Sequence, residues 1–131
     1  MPAGPFGPEQ TYHAALHVKK DLDDFWYAVE YEQRPAKHHT TAFKARGLLG
    51  YDAAAKKMVL TVADNMGGWQ SAAAPGWESD KLAFSGEMSL GGQRLPFRQT
   101  IAKKGERELI STRELKMGKD WITVGTDTCR R

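Results

Sequence analysis

The sequence predicts an all-β fold: an antiparallel up-and-down meander of about nine strands that curls into a small closed or nearly closed barrel. Three observations carry this expectation. Apolar and polar residues alternate with a period of two along most of the chain after residue 10. Turn signals built on Gly, Pro, Asp and Asn recur about every 8–14 residues. The only stretch suited to a helix is Asp52 to Met58, where Ala54-Ala55 has room for about one turn. A twisted sheet of this many strands tends to close, because closure removes exposed edges. A two-sheet sandwich is the alternative.

The first ten residues form a Pro/Gly-rich arm, in which Pro2, Pro5 and Pro8 cannot donate ladder hydrogen bonds. Tyr12 to Val18 alternates as a strand and ends at the turn Asp21-Leu22-Asp23-Asp24. Phe25 to Glu32 places Phe25, Tyr27, Val29 and Tyr31 on one face, and Trp26, Ala28, Glu30 and Glu32 on the other. Arg34-Pro35-Ala36-Lys37 breaks it. Thr40 to Tyr51 is a long strand with bends available at Gly47 and Gly50. Asp52 to Lys57 turns the chain into the strand Met58 to Ala63. A short strand follows around Trp69, within Gly67 to Ala72.

Beyond the loop Ala74-Pro75-Gly76-Trp77, the strand Lys81 to Leu90 carries Leu82, Phe84, Met88 and Leu90. Gly91-Gly92 signals a tight hairpin, since both central residues of a type I′ turn need positive φ. Leu95, Phe97, Gln99 and Ile101 then share a face. Lys103-Lys104-Gly105 and Met117-Gly118-Lys119-Asp120 are the last two turns, leading into Glu106 to Lys116 and Trp121 to Cys129.

Composition sets the class. The chain has 131 residues, 40% hydrophobic and 27% charged, which is one domain with a single core. These proportions exclude collagen-like, disulfide-scaffold and charge-driven disordered chains. Lys+Arg 19 against Asp+Glu 16 leaves +3, which gives no reason to expect a nucleic-acid partner. The basic residues from Arg94 onward are interleaved with acidic ones and read as a solvated surface. No apolar run approaches the ~20 residues of a membrane helix, so no membrane span is expected. The start lacks both a basic and an apolar region, so it carries no signal peptide. The default compartment is the cytoplasm, or the periplasm if the natural precursor is longer.

The inward face follows from alternation. It should hold Leu16, Tyr27, Val29, Tyr31, Phe43, Leu60, Val62, Trp69, Leu82, Phe84, Phe97, Ile101, Leu109, Ile122 and Val124. Gln99 lies between Phe97 and Ile101, and Arg113 between Ser111 and Leu115, so both share this face. A polar group there must find a partner, a water or a ligand, because leaving it unpaired costs about 1–3 kcal/mol. Buried Arg113 in particular demands an anion or a carboxylate. A ligand site built from Tyr27, Tyr31, Phe43, Trp69, Phe97, Gln99 and Arg113 is therefore expected, unless the polar pair is satisfied internally or the register slips by one residue. The aromatics, with Trp26, Trp77 and Trp121, could equally plug the barrel.

Other groups point to bland roles. His13 and His17 share a strand face but stand about 13 Å apart at ~3.3 Å per residue, too far for one metal ion. His38 and His39 point to opposite faces if extended. Asp21, Asp23 and Asp24 lack the Gly and distal Glu of a calcium loop. Gly47 to Gly50 and Met66-Gly67-Gly68 lack the setting of a phosphate loop. No cofactor, metal or catalytic constellation is expected, and Cys129 reads as a reduced thiol near the chain end.

Several short elements together resemble a family of small bacterial lipocalin-like proteins of unknown function. They are Gly50-Tyr51-Asp52, Asp64-Asn65-Met66-Gly67-Gly68, Gly76-Trp77-Glu78-Ser79-Asp80-Lys81-Leu82, Ser85-Gly86-Glu87, Phe97-Arg98-Gln99-Thr100, Gly118-Lys119-Asp120-Trp121 and the terminal Cys129-Arg130-Arg131. The resemblance covers about residues 40 to 131 and implies an antiparallel barrel with an internal cavity, without an established chemistry. It also implies an upstream Gly-Trp-containing strand that does not precede Pro2-Ala3-Gly4 here. A homodimer through the resulting open sheet edge, and an upstream cysteine pairing with Cys129, follow as expectations.

The functional expectation is the binding of a small apolar or amphipathic molecule in the barrel. Its alternatives are a plugged barrel that works through its surface, and a cavity enzyme using Arg113 or Arg98 without a recognisable motif.

Overall fold

A computed structural model describes residues 13–34 and 43–130. It is all-β among these residues: β1 (Ala14–Asp21), β2 (Trp26–Gln33), β3 (Lys44–Asp52), β4 (Lys57–Asp64), β5 (Trp69–Ala74), β6 (Trp77–Glu78), β7 (Lys81–Leu90), β8 (Gln93–Lys103), β9 (Glu108–Met117) and β10 (Asp120–Arg130). Every ladder is antiparallel, and the order is β1-β2-β3-β4-β5-β7-β8-β9-β10, with the two-residue β6 pairing the start of β7. The expected meander of about nine strands is therefore present. The sheet is an open half-barrel, because β1 and β10 end the strand order and no ladder joins them among the described residues. No helix among these residues is long and apolar enough to cross a membrane.

The turns follow the chemistry of their residues. Leu22, Asp23 and Asp24 all take positive φ, with the Leu22 N–H donating to Asp21 Oδ1 at 2.8 Å. This turn extends to Phe25, which is exposed rather than aligned with Tyr27 as expected. The helical turn available at Asp52 to Met58 is instead a hairpin turn: Asp52 Oδ1 accepts from the N–H groups of Ala54 and Ala55, and Lys56 takes positive φ. Gly91 and Gly92 have φ of 57° and 81°, the geometry a tight hairpin needs. The N-terminal arm, residues 40–42 of the third expected strand, His38 and His39 lie outside the described residues.

The core fills one end of the concave face. Leu60, Ala72, Ala74, Leu82, Phe84, Phe97 and Leu115 form a buried cluster, with Leu49, Met58, Ile101 and Val124 packed against it. Small residues make room for large ones here. A Cβ on Gly86 would overlap the backbone of Ser71 and Ala72 on the adjacent β5, so this strand crossing requires glycine. Burial is uneven along the predicted inward face. Leu16, Tyr27 and Leu109 share its side, yet 44%, 43% and 36% of their surfaces remain exposed, because they sit on the first two strands or at a strand end.

The convex face is knit by charge and aromatic contacts. Arg98 donates to both oxygens of Glu114 (2.8 and 3.0 Å) and lies 4.0 Å over the Trp121 ring. Away from this group, Lys103 sits over Trp77, and Arg94 over Trp69. Such contacts on an exposed face contribute only modestly to stability.

Candidate functional site

Above the core, the concave face becomes a cleft of about 160 Å³. Most of its lining is apolar: Leu16, Val29, Phe43, Leu60, Val62 and Met88, together with Tyr31 and Trp69. The Tyr31 and Phe43 rings meet edge to face at 6.1 Å. Trp69 and Leu16 stand at the rim, 37% and 44% exposed.

One wall is polar, and β8, β9 and β10 build it. Gln99 on β8 is directly opposite Arg113 on β9, and Arg113 is opposite Gly125 on β10. Arg113 Nη2 reaches diagonally to Asp127 Oδ2 at 3.0 Å, with both side chains mostly buried. The Tyr31 hydroxyl donates to Asp127 Oδ1 at 3.3 Å from the far side of the trough, and Gln33 Nε2 donates to that hydroxyl at 3.1 Å. This chain links β2 to β10 across the opening of the half-barrel. Gln99 Nε2 donates to Ser111 Oγ at 2.8 Å. Two buried atoms on this wall have no hydrogen-bond partner, the acceptor Gln99 Oε1 and the donor Arg113 Nε.

The geometry rests on a β-bulge. The ladder between β9 and β10 shifts register between Thr123 and Gly125, so Ile122 faces Leu115 and Gly125 faces Arg113. The extra residue moves Asp127 and Cys129 onto the concave side. Without it, strict alternation from Val124 would have presented Thr126 and Thr128 there. Asp127 is the functional side chain that alternation missed. A glycine inside a strand was the available signal for the bulge, and the demand of buried Arg113 for a carboxylate was the reason to look for one.

The electrostatics follow from these contacts. The lining holds one cation, Arg113, and two carboxylates, Asp64 and Asp127. Asp64 Oδ1 accepts from the N–H groups of Met66 and Gly68 (2.8 and 2.9 Å), and Arg113 neutralises Asp127. The cleft thus offers no spare positive charge to an anion. Burial first, then the nearby Asp127 carboxylate, push the Tyr31 hydroxyl above its usual pKa, opposed by the hydrogen bond from Gln33. Cys129, a free thiol, is raised by burial and then by Asp127.

Of the residues expected to bind a ligand, Tyr31, Phe43, Trp69, Gln99 and Arg113 line the cleft. Phe97 does not; it is 1% exposed within the core cluster below. Tyr27 also stands outside the lining, opposite Leu49 and Lys20. His13 and His17 are exposed on β1 and its approach, and among the described residues no three His, Cys, Asp or Glu side chains gather as a metal site.

No protein-family model matches this chain, and no curated protein does at a significant level of similarity.

Proposed function

We propose that this protein binds a small neutral amphipathic molecule in the cleft, its apolar body against Leu60, Val62 and Phe43 and a hydroxyl against Gln99 and Arg113. One observation carries this reading: the buried acceptor Gln99 Oε1 and the buried donor Arg113 Nε lack partners on neighbouring strands, and both residues line the cleft. A hydroxyl complements both, since its O–H donates to Oε1 and its oxygen accepts from Nε. Supplying those partners relieves about 1–3 kcal/mol of desolvation cost per group. The size supports a compact ligand, because a cavity of about 150 Å³ accepts benzene. The balance of one cation against two carboxylates favours a neutral ligand over an acid. The proposal extends to kinship with the small lipocalin-like proteins that residues 40 to 131 resemble, and to a sheet whose two ends approach more closely around an occupied cleft.

The test is a titration of the protein with phenol and with toluene, followed by Trp fluorescence and by NMR chemical shifts. Phenol should bind at least about tenfold more tightly than toluene, a difference of ~1.4 kcal/mol. Equal affinities, or shifts confined to the convex face, reject the reading.

A second reading, a protein that acts through its surface, draws on the outer edge of β1, which no described strand covers.

A further inference from the structure

The strand β1 is exposed at all eight positions, although it is part of the sheet. It is held on one side only, by β2, among the described residues. Its concave-side residues Leu16 and Val18 are 44% and 52% exposed. The His13 carbonyl accepts from the Arg34 N–H at 2.8 Å, and these two residues continue the β1–β2 register. In an antiparallel ladder such pairs alternate. The odd-numbered residues of β1 therefore turn their N–H and C=O groups toward β2. Ala14, Leu16, Val18 and Lys20 turn theirs to the open edge.

Strand number decides what can cover that edge. The sheet path contains nine strands, each antiparallel to the next, so β1 and β10 run in the same direction. The two ends of one chain can meet only as a parallel pair. Two copies of β1, related by a two-fold axis, meet as an antiparallel pair with the same face of each sheet concave.

We infer that the outer edge of β1 pairs with the β1 edge of a second copy, with the two-fold axis at His17. The sequence is self-complementary in this register. Leu16 faces the second copy's Val18, so the two most apolar exposed side chains of the strand cover each other. His13 faces the second copy's Asp21, and Ala14 and Ala15 face Lys20 and Lys19, which keeps the lysines apart. All residues from His13 to Asp21 find a partner. The outward N–H and C=O groups of Ala14, Leu16, Val18 and Lys20 bond to their equivalents, and His17 meets His17 as a closely spaced pair without hydrogen bonds. On its convex side, each His17 lies opposite Glu30 of its own chain, with Glu32, Arg34 and Arg46 nearby.

The test combines analytical ultracentrifugation of the full chain with cysteine cross-linking in a Cys129→Ser background. The wild type should sediment at twice 14.6 kDa at tens of micromolar. Val18→Pro removes an outward N–H and no bond to β2, so it should give a folded monomer with an unchanged circular dichroism spectrum. His17→Cys should cross-link rapidly on oxidation, because its partner Cα lies ~4.5 Å away. Lys19→Cys should cross-link at least tenfold more slowly, since the two residues 19 are four positions out of register. A wild-type monomer at 100 μM overturns the inference, as does a dimer unaffected by Val18→Pro or cross-linked equally through residue 19. A monomer whose β1 amides resist hydrogen exchange would give the edge to residues 1–12 of the same chain, and also overturns it.

Discussion

Gly125 leaves its side-chain position empty at the point where the guanidinium of Arg113 crosses β10; a Cβ there would overlap Nη2. The bulge that places Gly125 opposite Arg113 also places Asp127 within reach of it. Glycine, bulge and ion pair therefore form one device, and Gly125→Ala should displace Arg113 from Asp127. The expected loss is about 1–3 kcal/mol, a fall of several degrees in Tm. In an Arg113→Met background the same substitution should cost at least ~1 kcal/mol less, because nothing remains to be displaced. Additive effects in this double-mutant cycle would dissolve the link.

Gln99 separates binding from stability. Gln99→Leu removes the unpartnered Oε1 and keeps the side-chain volume, but releases the Ser111 hydroxyl from its 2.8 Å bond. These opposing effects should leave the unfolding free energy within about 1 kcal/mol of the wild type. Discrimination of phenol from toluene should vanish. A variant that still prefers phenol would move the polar contact elsewhere in the cleft.

Alkaline pH tests the chain from Gln33 through Tyr31 to Asp127. The folded state raises the pKa of Tyr31, chiefly by burial, so it favours the neutral phenol. The corresponding stability is complete below the unfolded pKa of ~10 and is lost as pH rises through the higher folded value. The stability advantage of the wild type over Tyr31→Phe should therefore shrink between pH 8 and pH 11. A constant gap in urea denaturation across that range contradicts this account.

Cys129 should react sluggishly with a disulfide reagent at pH 8. Burial, and after it the Asp127 carboxylate, disfavour its thiolate. Asp127→Asn should speed the reaction, and unfolding in urea should speed it further. Equal rates for folded and unfolded protein would place the sulfur in open solvent.

Gly86→Ala brings a Cβ against the backbone of β5 rather than against a movable side chain. It should cost at least as much as Gly125→Ala, about 1–3 kcal/mol or more, and should broaden the thermal transition as β5 and β7 separate.

The two polar residues of the site were legible because alternation holds through β8 and β9. Gln99 falls between Phe97 and Ile101, and Arg113 between Ser111 and Leu115, and all six lie on the concave side. Periodicity stops being informative at two places. The bulge in β10 adds a residue, so Asp127 reaches the face on which strict alternation puts Thr126. Height along a strand is also invisible to a pattern of period two. Phe97 and Gln99 share a face, yet Phe97, opposite Gly86, belongs to the core cluster while Gln99 borders the cleft. Tyr27 fails as a lining residue for the same reason. Closure depends on how twist accumulates over the whole sheet, a property no single strand carries.

The order of the ladders has a consequence for how the chain finds its fold. Each ladder of the main path joins consecutive strands, apart from β5 and β7, which skip only the two-residue β6. Every pairing can therefore form as a hairpin, through loops of two to four residues except the ten between β2 and β3 and the six, including β6, between β5 and β7, so the entropic cost of closure stays small. For an all-β protein this is a low contact order, so refolding should run toward the fast end of the range for such proteins. Each new hairpin grows on the edge left by the last, without waiting for the termini to meet.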